Sequence, residues 1–485
     1  MTETISLPLW LVLMGAALTV WALLDRLFLP GIRLYLRRRS NTLIEEFDKR
    51  LDLPLPAFKL IKRQVIIDRL MYDPQIQETV EEYCQENGAS SKEVLKKVER
   101  YAKEIAPAFN ALIYYRFGCW LCKSVARLLY RVRVGFVDEE GIRRVDPKSS
   151  IVFIMNHRSN MDYILLGFFA SQRVVLSFAA GEWARVWPIQ QFLRAMGAFF
   201  VRRGSGNPLY RCILARYVQM ATEAGVVQAV FPEGKLSRDG RLEEPKIGLL
   251  DYMLREFDPD KERDLVFIPA GVNYDRIFED RTLLMSIDPK AKQKSLLGVI
   301  YTTSSFIIHN LWLMLRGRWH RFGYAVVNFG TPLSMREYVK KHKVDFKNME
   351  KEVRIEKVKV LAQDLMHKIG NLIPVSPTSL IAYVFAENPE KTLSELEIKA
   401  RVQSLISKLE EHGAHIYIPR SDWDYTIDVG LRMLTLRHLV TEENYLYRAA
   451  SDEIKLLRYY ANAIEHLIHP DKPVDRVLSS KKSNA

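Results

Sequence analysis

His157 stands just past the apolar run Ile151 to Met155, and Asp162 follows it five positions later. Imidazole takes up a proton near neutral pH, and a carboxylate at that distance can hold the ring in one tautomer, which makes His157 a candidate general base and Asp162 its orienter. About seventy residues on, a second apolar run, Val226 to Phe231, leads into Pro232-Glu233-Gly234. There a carboxylate and a glycine sit at a strand end, where main chain can come close to an anionic substrate. Lys235, Ser237, Arg238 and Lys246 come next, the run from Gly197 to Val201 ends in Arg202 and Arg203, and Leu265 to Ile268 ends in Pro269. A base, its orienter and a set of cations are what attack of an alcohol on an acyl thioester requires when the alcohol carries a phosphate. A lone His/Asp spacing is also what a loop histidine capping a helix would show, and this chain has ten histidines. Several such strand ends at one edge of a sheet point to a pocket instead.

The elements that must position these residues alternate. Short β-rich runs at 132–137, 151–155, 174–179, 198–201, 226–231, 265–270 and 324–329 are separated by helical stretches, among them Tyr163 to Phe169 directly after the histidine. The pattern predicts an α/β fold with a mixed, mostly parallel sheet flanked by helices, an N-terminal transmembrane helix, and helical N- and C-terminal regions. In such sheets ligands bind outside the carboxyl ends of the strands, where His157 and Glu233 fall. The expected organisation is an anchor over 1–30, a helical region over 31–130, an α/β catalytic domain over 131–345, a helical domain over 346–470 and a polar tail over 471–485. Ile373-Pro-Val-Ser-Pro-Thr378 breaks the long amphipathic stretch that starts at Glu350.

Of 485 residues 48% are hydrophobic and 27% charged, which excludes a disordered chain, and the formal charge of +13 calls for an anionic partner. Nucleic acid fits poorly, because zinc-finger spacing, RNA-binding aromatic boxes and basic heptads are all missing. Membrane phospholipid fits better. Ile5 to Leu24 carries no charge, and Arg26, Arg33, Arg37, Arg38 and Arg39 follow it, which predicts a membrane span with its carboxyl side in the cytoplasm. A cleaved signal peptide would carry its basic residues before the apolar run. Ser295 to Leu315 is uncharged and as long, but basic residues flank both ends and a strand of the same sheet is expected at 324–329, so it is expected to lie as an interfacial or re-entrant segment, with a buried helical pair in the soluble core as the alternative. Cys119-Trp-Leu-Cys122 has half of a zinc-site spacing but no second cysteine or histidine pair, and it reads as helix packing.

The motifs resemble those of the glycerolipid acyltransferases, specifically the membrane-bound glycerol-3-phosphate acyltransferases of the bacterial PlsB-like type. The blocks that carry the resemblance are His157-Arg-Ser-Asn-Met-Asp162-Tyr163, Gly197 to Arg203, Phe231-Pro-Glu-Gly234 through Ser237-Arg238 and Pro245-Lys246-Ile-Gly248, and Ile268-Pro269 with Tyr274-Asp275-Arg276. Pro374 to Leu380 and Leu457 to His466 look like the C-terminal region of the same group. The resemblance implies a cytoplasmic-membrane enzyme that moves a fatty acyl group from acyl-CoA or acyl carrier protein to the first hydroxyl of glycerol 3-phosphate, with no metal or other cofactor. It implies His157 as base and Asp162 as orienter, with Arg203, Lys235 and Arg238 about the phosphate; the strand-end residues themselves add Arg202, Ser237 and Lys246 to that set and Gly234 and Pro269 to substrate positioning, while Glu233 reads equally as positioning substrate or as accepting main-chain donors across the site. Leu236 stands where the family usually has an arginine, and Asn160 where a histidine is common. Other acceptors, dihydroxyacetone phosphate or a lysophospholipid, remain open, as do a non-catalytic membrane adaptor and the oligomeric state. A metal-dependent phosphoesterase is disfavoured because the chain has no Asp-x-His.

Overall fold

A computed structural model describes residues 56–170, 175–202, 204–261, 263–287, 316 and 321–470. The expected span at 5–24, the apolar run 295–315, Arg203 and the tail lie outside the described residues. Among the described residues no helix is long and apolar enough to cross a membrane.

The centre is a mixed sheet in the order β1 (Arg131–Val137), β7 (Tyr324–Phe329), β6 (Leu265–Tyr274), β2 (Ser150–Met155), β5 (Gln228–Val230), β3 (Ser177–Ala180), β4 (Phe199–Phe200), with β8 (Leu333–Ser334) paired to β6. All pairings are parallel except β6 with β7 and β6 with β8. Strands covered on both faces need apolar residues on both, and β2 shows it. Ile151 and Met155 enter one hydrophobic cluster and Val152 and Ile154 the other.

One cluster joins the sheet to α5 (Met161–Ala170) and to the C-terminal helices α9 (Pro377–Glu387), α10 (Glu395–Glu411), α11 (Trp423–Leu436) and α12 (Ile454–Ile468). The opposite cluster holds the lead-in helices α1 (Arg63–Met71), α2 (Pro74–Asn87) and α3 (Ser91–Ile105), together with α6 (Pro208–Glu223), α7 (Gly248–Leu254) and α8 (Lys351–Leu372). Helix α4 (Cys119–Leu129) packs on α5, with Cys122 against Gly167. Burial pushes the Cys119 and Cys122 thiols up to about 12 and about 11, which makes them packing groups and poor thiolates.

Two expectations are corrected. The sequence pattern ends the strand of the fourth block at Pro269, yet β6 runs on to Tyr274. Pro269 sits where the partner of β6 changes from β8 to β7, so its missing N–H costs the ladder nothing, while its carbonyl still accepts from Gly330. The C-terminal region is expected to be helical throughout, yet β9 (Leu393–Ser394), β10 (Val440–Glu443) and β11 (Leu446–Ala449) form a small antiparallel sheet. Its hairpin turns on Asn444-Tyr445, both at positive φ, a two-residue turn that lacks the glycine by which such turns are usually recognised.

Candidate active site

Parallel neighbours β2 and β5, in register at Ile154 and Val230, deliver the two motifs side by side at their carboxyl ends. Asn156 prolongs the β2–β6 ladder with its side chain, donating to the Val272 carbonyl at 3.0 Å and accepting from the Val272 N–H at 2.8 Å. The chain then turns so that His157 precedes α5, and Asp162 falls in that helix's first turn.

His157 Nδ1 lies 2.8 Å from Asp162 Oδ2. The same oxygen accepts from the N–H groups of Arg158 at 2.8 Å and Ser159 at 3.0 Å, and Asp162 Oδ1 accepts from the Tyr274 hydroxyl. With four donors converging on it, the carboxylate has one orientation, and it fixes the ring with Nδ1–H toward Asp162 and Nε2 free to take a proton. The ring lies 4.1 Å from the Phe231 ring, nearly parallel, and edge-on to Tyr163 at 5.4 Å. Only 2% of His157 is exposed.

Glu233 braces the two motifs. Its Oε1 accepts from the His157 N–H at 2.7 Å and its Oε2 from the Glu243 N–H at 3.0 Å, while the Ser237 N–H donates to the His157 carbonyl at 3.0 Å. Burial pushes Glu233 up to about 8 against the pull of those donors and of the nearby Arg158. Gly234, at φ +68°, turns the chain back beneath Lys246, whose N–H donates to the Pro232 carbonyl at 2.7 Å.

The cations expected about a phosphate separate into two groups. Lys235 lies beside this loop, paired to Glu243 at 2.9 Å and still partly exposed, and Arg238 and Lys246 are exposed with no ion pair among the described residues. Arg202 departs from the expectation. Its fork is filled by Glu104 of α3, at 2.8 Å from Nε and 2.5 Å from Nη2, and it lies over the rings of Tyr101 and Tyr210. Ser237 also has its hydroxyl engaged, donating to the Arg241 carbonyl at 2.6 Å and accepting from the Gly240 N–H at 3.1 Å. Pro269 is buried in β6, in register with Ile154 of β2.

Three residues at this site have no role assigned by the sequence pattern. Tyr274 is visible there only as part of a motif; its place at the end of β6, on the face shared with Ala270 and Val272, is what brings it to Asp162. Glu279 accepts from the Ser159 hydroxyl at 2.6 Å and the Asn160 N–H at 3.2 Å. Arg158 is 2% exposed and reaches the Gly240 carbonyl and the face of Tyr459. Among the described residues no group of three or more His, Cys, Asp and Glu is arranged to hold a metal ion.

A model of the acyltransferase domain matches residues 136–273, which run from β1 through β6 and carry both motifs. The two motifs thus lie within a stretch similar to the acyltransferase family. The region beyond that domain narrows the class: residues 310–474 match the glycerol-3-phosphate acyltransferase C-terminal region. Curated relatives agree along most of the chain. Glycerol-3-phosphate acyltransferases of Pseudomonas paraeruginosa and Xanthomonas axonopodis pv. citri are each 25% identical over 89% and 84% of this chain, and that of Aeromonas hydrophila is 28% identical over 84%. The chain spans about half the length of the curated relatives it matches, 51%, 46% and 50% respectively. A crystal structure of the 1-acyl-sn-glycerophosphate acyltransferase PlsC from Thermotoga maritima overlaps 62% of this chain and 92% of its own at 16% identity, with a TM-score of 0.25.

Proposed function

We propose that this protein acylates the first hydroxyl of glycerol 3-phosphate, taking the acyl group from a thioester of coenzyme A or acyl carrier protein and releasing lysophosphatidic acid. The observation that carries the reading is the enclosed His157–Asp162 pair between two family motifs, with Nδ1 committed and Nε2 open. In this mechanism His157 Nε2 takes the acceptor's hydroxyl proton as the oxygen attacks the thioester carbonyl. When the tetrahedral intermediate collapses, the C–S bond breaks and the thiolate leaves with that proton, so the imidazole returns neutral. The reaction needs no cofactor beyond the thioester.

Lys235, Arg238 and Lys246 are the cations beside the histidine that suit the acceptor's phosphate, and the family resemblance adds Arg203. Glu233 and Gly234 act by shaping the loop that presents them, a role the two main-chain donors on Glu233 support. The work takes place at the cytoplasmic face of a membrane, a reading supported by the uncharged run at 5–24, its basic flank and the charge of +13.

Incubating purified protein with glycerol 3-phosphate and palmitoyl-CoA or palmitoyl carrier protein, then identifying the lipid product by mass spectrometry, tests the reading. One acyl ester at the first hydroxyl is expected. Preference for a lysophospholipid or dihydroxyacetone phosphate acceptor over glycerol 3-phosphate would overturn the acceptor, and a product that is free fatty acid alone would overturn the transfer.

A further inference from the structure

The C-terminal helix α12 touches the catalytic loop on both sides. Arg158, the residue after the histidine, donates to the Gly240 carbonyl and lies with its guanidinium carbon 5.3 Å from the centre of the Tyr459 ring. Gly240 has φ +91°, and a Cβ there would collide with the Tyr459 carbonyl, so this turn is built against the helix. Two more contacts hold the turn: Asn462 Nδ2 donates to the Asp239 carbonyl at 2.8 Å, and Arg241 Nη2 meets Glu465 at 2.8 Å. Ser237 in the same turn donates its N–H to the His157 carbonyl.

The neighbouring tyrosine takes hold of the other side. The Tyr460 hydroxyl accepts from the Ile277 N–H at 3.1 Å and from Arg437 at 2.7 Å, and it donates to Asp280. Arg437 and Asp280 form an ion pair at 2.7 Å with both side chains under a tenth exposed. Glu279, the residue before Asp280, holds Ser159 and Asn160. Thus Tyr459, by its ring against Arg158, meets the segment between His157 and Asp162 directly, and Tyr460, adjacent on the same helix, meets it through Asp280 and the neighbouring Glu279.

Arg158 itself fits poorly as a purely structural residue. Its Nε and second terminal nitrogen have no hydrogen-bond partner among the described residues, an arrangement that costs stability and that a helix–loop contact alone would not need. The Tyr459 hydroxyl is likewise buried without a partner among the described residues, so only the ring of that residue is in use.

We infer that Arg158, Tyr459 and Tyr460 are positioning residues for the catalytic base, through which the C-terminal helix sets the geometry of the His157–Asp162 loop. The inference rests on the acyl-transfer reading for its kinetic readout, and a second readout frees it from that dependence. In the full chain, Arg158→Met and Tyr459→Leu lower kcat about 10- to 100-fold with little change in KM for the acceptor, as sub-ångström misplacement of a base does. The thermal midpoint of R158M stays level or rises, because an incompletely paired buried cation has been replaced by an apolar side chain of similar reach. Tyr459→Phe, which keeps the ring, rescues the leucine variant's loss. Amide exchange at Ser237 and Gly240, read by mass spectrometry with no substrate present, speeds up in Y459L. A kcat within twofold of wild type for R158M, or unchanged exchange at both amides in Y459L, would overturn the inference. Absence of turnover in the wild-type chain would instead count against the acyl-transfer reading, and the exchange result would still decide this one.

Discussion

At the scale of single residues, a heavy electrostatic demand falls on Glu233. The carboxyl is 1% exposed, and burial pushes it up to about 8 from an ordinary 4.5. A folded state that holds this proton more tightly than the unfolded chain gains its full stabilisation below the ordinary value and loses it as pH rises through about 8. Wild-type stability in urea should therefore fall relative to Glu233→Gln between about pH 5 and about pH 9, by a few kcal/mol. A difference that is flat across that range would mean the carboxylate is satisfied by its two N–H donors. Tyr274 makes a second residue-scale prediction. Its hydroxyl is the donor on Asp162 Oδ1, and Tyr274→Phe leaves that oxygen short of a partner in the interior. Loss of one charge-assisted hydrogen bond corresponds to a kcat roughly 10-fold lower, with acceptor KM unchanged, in steady-state assays.

At the scale of elements, the carboxyl edge of β2 and β5 is legible in the sequence because each strand is an apolar run that ends abruptly in chemistry-bearing residues, and strand order in parallel sheets puts such ends together. Partners distant in sequence are not legible. Arg202 follows β4 as expected, but the carboxylate that takes its fork belongs to α3, in a helical region whose docking no local pattern announces. This sets α3 and β4 as one unit. Glu104→Gln should lower stability by about 1–2 kcal/mol, discounted for the partial exposure of Arg202, and leave KM for the phosphorylated acceptor unchanged. A raised acceptor KM in this variant would return Arg202 to the substrate's phosphate. The segment Pro374 to Thr378 reads in sequence as a helix break and part of a family motif, with no sign of what it touches. In the fold it crosses the end of β6, where Asn273 donates to the Pro374 carbonyl at 2.9 Å and the Thr378 N–H donates to Asp275 at 3.2 Å.

At the scale of the whole molecule, the α/β region and the C-terminal helices share one hydrophobic core. A single hydrophobic cluster runs from β2, β6 and α5 into α9 through α12, and the ring of Tyr459 with the polar contacts of Tyr460, Asn462 and Glu465 reach the loops around the histidine. Both regions are visible in the sequence, since each carries its own motif, but their shared core depends on which helix face meets which strand, and amphipathic periodicity leaves that choice open. The assembled site stands or falls with His157 as its base. Comparing His157→Ala with wild type in glycerol 3-phosphate acylation, alongside thermal unfolding, puts that assignment to the test. We expect kcat/KM to fall by about 100- to 10,000-fold while the unfolding midpoint moves by no more than a few degrees. Turnover within tenfold of wild type in a folded H157A protein would contradict it.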